Sequence, residues 1–218
     1  SPLALILHPH PEHEGTMNNK VVYLMYRTLA HHGFAVMRFN FRGAGRSQGS
    51  FSKGEGELAD AAVVLDWLQK HNEGAQQNWI CGYSFGAWIG MQLMMRRPEI
   101  SRFIAVSPPA NMYDFSFLAP CPASGLIIQG TQDTIVPPSA QKEIVTRLQK
   151  QPKISIDYEE IEGADHFFVQ HLDHLQKVAY DYIAQHKDAV IAVMSPTFRD
   201  DENDGEDDYD NEGEEDER

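Results

Sequence analysis

The chain has 218 residues, a formal charge of −14 and 42% apolar residues, enough for a packed core, so global disorder is excluded. The acidity is local: residues 199–218 hold 13 acids and 2 arginines, a net of −11, which leaves residues 1–198 at only −3. Neither part supplies the clustered Lys and Arg of a nucleic-acid groove, and no apolar run approaches the roughly 20 residues that span a bilayer.

Leu3-Ala4-Leu5-Ile6-Leu7 is a short continuous apolar run ending at a His-Pro turn, as expected of a strand buried on both faces. Residues 16–32 read as a helix with Val21, Val22, Met25 and Leu29 on one face, stopped by Gly33. A strand is expected over 34–39, then a glycine-rich loop over 40–47 and a helix over 55–70 with Leu58, Ala61, Leu65 and Leu68 inward. Strands follow at 78–81, 102–106, 125–129 and 154–161, and helices at 85–97, 139–150 and 170–185. Six strands alternating with helices predict an α/β fold, a doubly wound, mostly parallel sheet covered on both faces. The expected organisation is one domain over residues 1–188, an extension over 189–198 and an acidic, disordered tail over 199–218. Two cysteines, Cys81 and Cys121, make no disulfide framework and point to a reducing compartment, the cytoplasm. No secretory leader is recognisable at the start, where Ser1 stands rather than Met.

The sharpest motif is Gly82-Tyr83-Ser84-Phe85-Gly86, which fits G-x-S-x-G between an expected strand and an expected helix. In that setting the serine occupies a strained strand-to-helix turn, and the helix N-terminus faces the point where negative charge develops in acyl transfer. A serine nucleophile needs a base, and the base needs an orienting carboxylate. Asp133 lies just past the strand Leu126-Ile127-Ile128-Gln129, and His166 lies just past the following strand. Ligand sites form at the carboxyl ends of parallel strands, so the three residues can converge.

With these residues in place the chain resembles the α/β-hydrolase superfamily, and in particular its small cap-less bacterial members. Five blocks carry the resemblance in order: His8-Pro9-His10-Pro11 with Gly15-Thr16-Met17-Asn18-Asn19, then residues 38–47 (RFNFRGAGRS), Gly82–Ala87 (GYSFGA), Gly130–Asp133 (GTQD) and Asp165-His166-Phe167-Phe168. The resemblance covers about residues 3–185 and implies Ser84 as nucleophile, His166 as general base and then acid, and Asp133 as its orienting partner. Relatives usually have a larger sheet, whose extra edge strands would precede Ser1. They also carry a second glycine where this chain has Glu12-His13-Glu14-Gly15, a departure on one expected wall of the site.

An oxyanion hole should use the backbone N–H of Phe85 and one from the loop after the first strand. Pro9 and Pro11 have no N–H, which leaves His10. His8, His10 and His13 with Glu12 and Glu14 invite a zinc reading, but alternate spacing broken by prolines suits three tetrahedral ligands poorly. Asp165 is adjacent to His166, yet Asp133 holds the expected strand end. Arg42 and Arg46 could meet an anionic substrate, but the glycine-rich loop around them reads more readily as a structural turn. Gly43-Ala44-Gly45 lacks the pattern of a dinucleotide loop, so neither metal nor cofactor is expected. Cys81 is expected in the core and Cys121, between two prolines, at the surface. His171 and His174 are expected as solvated helix positions. The short stretch before residue 125, with Met112, Tyr113, Phe115, Phe117 and Leu118, can wall an acyl pocket but is too short for a cap domain.

The sequence therefore predicts a serine hydrolase that cleaves a carboxylic ester or thioester through an acyl-serine intermediate. A serine peptidase, a dienelactone-type hydrolase and a non-catalytic binding protein are the alternatives. The expected partner is a small-molecule substrate, with no nucleic acid and no membrane span. Self-association is left open.

Overall fold

Period-two alternation sorts the strands between two cores. The computed structural model describes residues 1–189; the expected tail over 199–218 and the extension from residue 190 lie outside the described residues. The strands are β1 (Leu3–Leu7), β2 (Ala35–Arg38), β3 (Asn78–Tyr83), β4 (Ile100–Val106), β5 (Ser124–Gly130) and β6 (Ile156–Ile161). The helices are α1 (Lys20–His31), α2 (Glu55–Lys70), α3 (Phe85–Arg96), α4 (Pro138–Gln149) and α5 (Leu172–His186). Leu5, Leu7, Ile80, Phe103, Ala105 and Ile127 face one side, where they pack on α2, α3 and α4. Ala4, Ile6, Trp79, Cys81, Ile104, Val106, Leu126 and Ile128 face the other, against α1 and α5. Both faces of the sheet are thus covered, which is why its central strands are continuously apolar.

The six strands form one parallel sheet in the order β2-β1-β3-β4-β5-β6. The chain steps outward from β1 to β2 and then returns to the other side of β1 with β3. The crevice between the carboxyl ends of β1 and β3 is therefore the topological switch point of the sheet. His10 follows one of these strands and Ser84 the other.

Local chemistry moves some expected boundaries. Helix α1 starts at Lys20, not at residue 16, because Asn19 is its cap: its side-chain oxygen accepts from the N–H groups of Val21 (2.9 Å) and Val22 (3.3 Å). Residues 16–18 serve another purpose. The Met17 amide donates to Asn40 Oδ1 at 2.8 Å, and the Arg38 guanidinium donates to Met17 O and to Asn18 Oδ1. Two of the sequence blocks, 15–19 and 38–47, thereby fasten to each other. Arg42 is also committed to structure: it forks onto Asp60 of α2, with Nη2–Oδ1 at 2.7 Å and Nε–Oδ2 at 3.0 Å. Residues 107–123, between β4 and β5, contain no helix or strand, so no cap domain is inserted there.

Cys121 is buried rather than exposed. Its amide donates to Gln151 Oε1 at 2.8 Å and its thiol to Ala123 O at 3.3 Å, which draws it inward between the prolines. Both cysteines are free thiols. His171 is the residue that precedes α5 rather than a position on its face, whereas His174 is exposed. Among the described residues, no helix is long and apolar enough to cross a membrane.

Candidate active site

Ser84 joins β3 to α3 with φ 52° and ψ −120°, a backbone conformation that L-residues adopt only under constraint. The constraint is close packing on both sides of the turn. A side chain at Gly82 would strike the Ala87 backbone, and one at Gly86 would strike the carbonyl oxygens of Leu7 and His8. Glycine at these two positions lets the first turn of α3 press against the end of β1. The Ser84 amide is tied to Val106 O at 2.9 Å, and the hydroxyl is aimed above the sheet.

The imidazole of His166 lies between the serine and an acid. Its Nε2 is 3.1 Å from Ser84 Oγ, and its Nδ1 is 2.7 Å from Asp133 Oδ2. A carboxylate only accepts, so Nδ1 carries the proton and Nε2 offers a lone pair to the serine hydroxyl. All three side chains are largely buried, with Ser84 9%, Asp133 4% and His166 6% exposed, so the chain of hydrogen bonds is shielded from bulk water. Asp133 is itself held by four donors: Oδ1 accepts from the amides of Ile135 (2.9 Å) and Val136 (2.7 Å), and Oδ2 from His166 and Gln129 Nε2 (3.3 Å). Asp165, the neighbour of His166, is exposed and accepts from the Val169 amide at 3.3 Å. Of the two aspartates, the structure brings Asp133 to the histidine.

The loop after β1 is pinned from below by His8. This ring is fully buried; its Nε2 accepts from the Phe41 amide at 3.0 Å, and its Nδ1 donates to Pro9 O at 2.7 Å. With both nitrogens engaged, neither lone pair nor proton is free for a metal. Burial drives its pKa down to about 4, so the ring is neutral near pH 7. The His10 carbonyl accepts from the amides of His13 and Gly15, both at 3.0 Å, which turns the loop back on itself. Among the described residues, the N–H groups of His10 and Phe85 donate to no other protein group. The His10 ring packs 5.1 Å from the Phe85 ring, centroid to centroid, so the two backbone segments flank the same crevice. Burial of the His10 ring, and then the nearby His13, lowers its pKa.

Above Ser84 opens a cavity of about 550 Å³, bounded by residues that include His10, His13, Glu14, Tyr113, Ile135 and Phe167. That volume is typical of a small-molecule site. The family model for X-Pro dipeptidyl-peptidase (S15 family) matches residues 1–189. The chain belongs to this family. It is an α/β hydrolase without a cap, and the comparisons with known proteins agree. It is 56% identical over 187 residues to an uncharacterized protein of Rickettsia prowazekii (strain Madrid E), covering 84% of this chain and 79% of the relative. A crystal structure of a protein of unknown function from Agrobacterium tumefaciens superposes with a TM-score of 0.83 at 50% identity, over 85% of each chain. An a/b serine hydrolase without lid from Xanthomonas campestris matches at 33% identity and a TM-score of 0.77, over 84% of this chain and 81% of its own.

The structural roles of three contributors to this α/β-hydrolase site escaped the sequence reading. Gln129 is fully buried at the end of β5 and spends its Nε2 on Val136 O (2.9 Å), Gly130 O (3.2 Å) and Asp133 Oδ2. Its signal was a polar residue closing an apolar buried strand, which demands partners. Tyr83, the variable residue of the elbow, donates its hydroxyl to His166 O at 2.7 Å and so anchors the histidine loop to β3. Burial, then Asp133 and Asp165, push that phenol's pKa up and keep it a donor. His8 is the third: the motif marked it, but only the fold reveals the Phe41 amide as its partner.

Proposed function

We propose that this hydrolase cleaves a carboxylic ester or thioester of a small molecule through an acyl-serine intermediate. The observation that carries the reading is the unbroken chain from Ser84 Oγ through His166 to Asp133, at 3.1 Å and 2.7 Å. Ser84 Oγ adds to the substrate carbonyl while His166 Nε2 takes its proton. The amides of Phe85 and His10 hold the oxygen that becomes negative. The carbon–oxygen or carbon–sulfur bond then breaks, and His166 returns the proton to the departing alcohol or thiol. Water repeats the sequence on the acyl-serine, releasing the acid and restoring Ser84. Asp133 keeps the imidazole in the required tautomer and stabilises the imidazolium. Removal of one oxyanion donor typically costs about 10²–10³ in turnover, so the loop pinned by His8 matters as much as the three side chains. Two buried free thiols fit a reducing compartment, and we place the protein in the cytoplasm.

Ester cleavage is favoured over peptide cleavage because, among the described residues, no cap closes over the cavity to clamp an extended chain. The S15 family match supports a second reading, in which the acyl group is transferred from a peptide amine. The test is covalent. A fluorophosphonate probe should add to Ser84, located by mass spectrometry, and Ser84→Ala should remain unlabelled and inactive. Equal labelling of wild type and variant would refute the proposal. Parallel assays with p-nitrophenyl butyrate and an X-Pro-p-nitroanilide then decide between ester and peptide.

A further inference from the structure

The cavity above Ser84 has two unlike sides, and the catalytic geometry says which half of a substrate each side receives. With the carbonyl carbon on Ser84 Oγ and its oxygen toward the amides of Phe85 and His10, the leaving group must lie beside His166 Nε2, which protonates it. On that side Phe167 faces the segment that enters α1. A second depression of about 370 Å³ adjoins the cavity there, sharing Glu14, Asn19 and Phe167 and mixing Asn18 and Lys20 with Val169 and Leu172. This wall is mixed: His13, Glu14 and Asn19 supply its polar groups, beside the exposed ring of Phe167. The remaining direction runs along Pro109, Met112, Tyr113 and Ile135, contributed by the segments after β4 and β5. It is backed by aromatic rings: Tyr113 stacks on Trp88 of α3 at 4.2 Å, and Phe85 stands behind both.

This wall is apolar, yet it is left open to water. Met112 is 52% exposed and Ile135 39%. Nine large apolar side chains are this exposed among the described residues, and two of them, Met112 and Ile135, come from different loops to this wall, with Phe167 on the leaving-group side of the same cavity. Scattered exposed apolar residues need no explanation, but a cluster bordering a reactive serine does. A substrate that covers it recovers the transfer free energy of both surfaces.

We propose that the site takes esters or thioesters with an unbranched apolar acyl chain lying along Pro109, Met112, Tyr113 and Ile135, and a polar leaving group directed toward His13, Glu14 and Asn19. The inference rests on the serine-hydrolase reading above. Full burial of a methylene corresponds to about a fourfold gain in kcat/KM, and a half-open wall gives roughly twofold. From butyrate to octanoate, p-nitrophenyl esters at concentrations below aggregation should therefore gain about tenfold or more. Ethyl, butyl and hexyl acetates, which lengthen only the leaving group, should stay within about twofold of one another.

The octanoate-to-butyrate ratio is the readout for Met112→Ser and Ile135→Ser, alone and combined, with thermal melts to establish folding. The double variant should reduce the ratio to about threefold or less, whereas Trp67→Ala, on the outer face of α2, should leave it as in wild type. A flat acyl series with Ser84-dependent turnover of the acetate would overturn the acyl wall and keep the hydrolase. So would a ratio unmoved in the folded double variant. A steeper gain in the alkyl acetate series would show that the two sides are reversed. Absence of both ester turnover and a fluorophosphonate adduct would instead refute the hydrolase reading itself.

Discussion

His8 ties the stability of the fold to pH in a way that one substitution can isolate. Its ring sits between the end of β1 and the loop after β2, accepting from the Phe41 amide and donating to Pro9 O. Protonation at Nε2 would destroy the first of these bonds and leave a charge in an apolar surrounding. Burial accordingly lowers its pKa from 6.5 to about 4. The unfolded chain accepts a proton in this window and the folded chain refuses it, so stability falls as pH drops from about 6.5 to about 4. At 1.36 kcal/mol per pKa unit the full loss is about 3 kcal/mol, and about 2 kcal/mol of it should be felt between pH 7 and pH 5.

Gln at position 8 can donate and accept similarly but does not titrate. His8→Gln should lose about 1–2 kcal/mol at pH 7 through imperfect hydrogen-bond geometry, and its further loss on going to pH 5 should be smaller than that of wild type by about 2 kcal/mol. Urea unfolding followed by tryptophan fluorescence at pH 7, 6 and 5 supplies both numbers. The buried histidine's neighbours titrate equally in both proteins and cancel in the difference. Parallel stability profiles for wild type and variant would refute the assignment of His8 as a neutral structural pin.

The two aspartates near His166 should separate cleanly: Asp133→Asn is expected to lower kcat by about 10³–10⁴, and Asp165→Asn to leave it within about threefold. The reverse order in steady-state ester assays would move the triad acid to Asp165. Gln129→Leu removes one donor from the Asp133 carboxylate and leaves Val136 O without its partner. A bond to a charged group is worth about 1.5–3 kcal/mol, so kcat should fall roughly 10- to 100-fold with little change in KM. A rise in KM at constant kcat would place Gln129 in substrate binding instead. Gly86→Ala puts a methyl group against the carbonyl oxygens of Leu7 and His8. A loss of about 1–3 kcal/mol follows from such overpacking, which thermal melts would register as a Tm lowered by several degrees. An unchanged Tm would show that α3 does not need this close approach to β1.

The order of elements and the proposed reactive residues were legible in the chain because their signals are local. Apolar runs of four to seven residues alternating with helical periodicity are what a doubly covered parallel sheet requires, and all six strands and five helices form within a few residues of their expected positions. Gly82-Tyr83-Ser84-Phe85-Gly86 also has a purely local cause, since glycines at 82 and 86 let the strand turn tightly into the helix at Ser84. Side-chain partners were less legible, because hydrogen bonds between distant segments leave no periodicity. Helix α1 starts at Lys20 under an Asn19 cap rather than at residue 16, since Met17 and Asn18 are taken by Asn40 and Arg38 some twenty residues away. Asp60 is the remote partner that commits Arg42 to structure, and Cys121 looked exposed until Gln151 drew it inward.

The site divides in the same way. Local motifs and the resemblance they carry single out Ser84, Asp133 and His166 as the proposed acyl-transfer set, each at the carboxyl end of a strand, with Asp165 as the rival acid. Only the tertiary structure decided between Asp133 and Asp165, by placing one carboxylate 2.7 Å from the imidazole and the other at the surface. It alone recruited Gln129, Tyr83 and His8, and it alone gathered Met112 and Ile135 with His13, Glu14 and Asn19 around one cavity. The physical reason is distance along the chain: reactive residue types and turn chemistry are written in a few consecutive positions, whereas orientation, burial and the polarity of a pocket arise where remote segments meet.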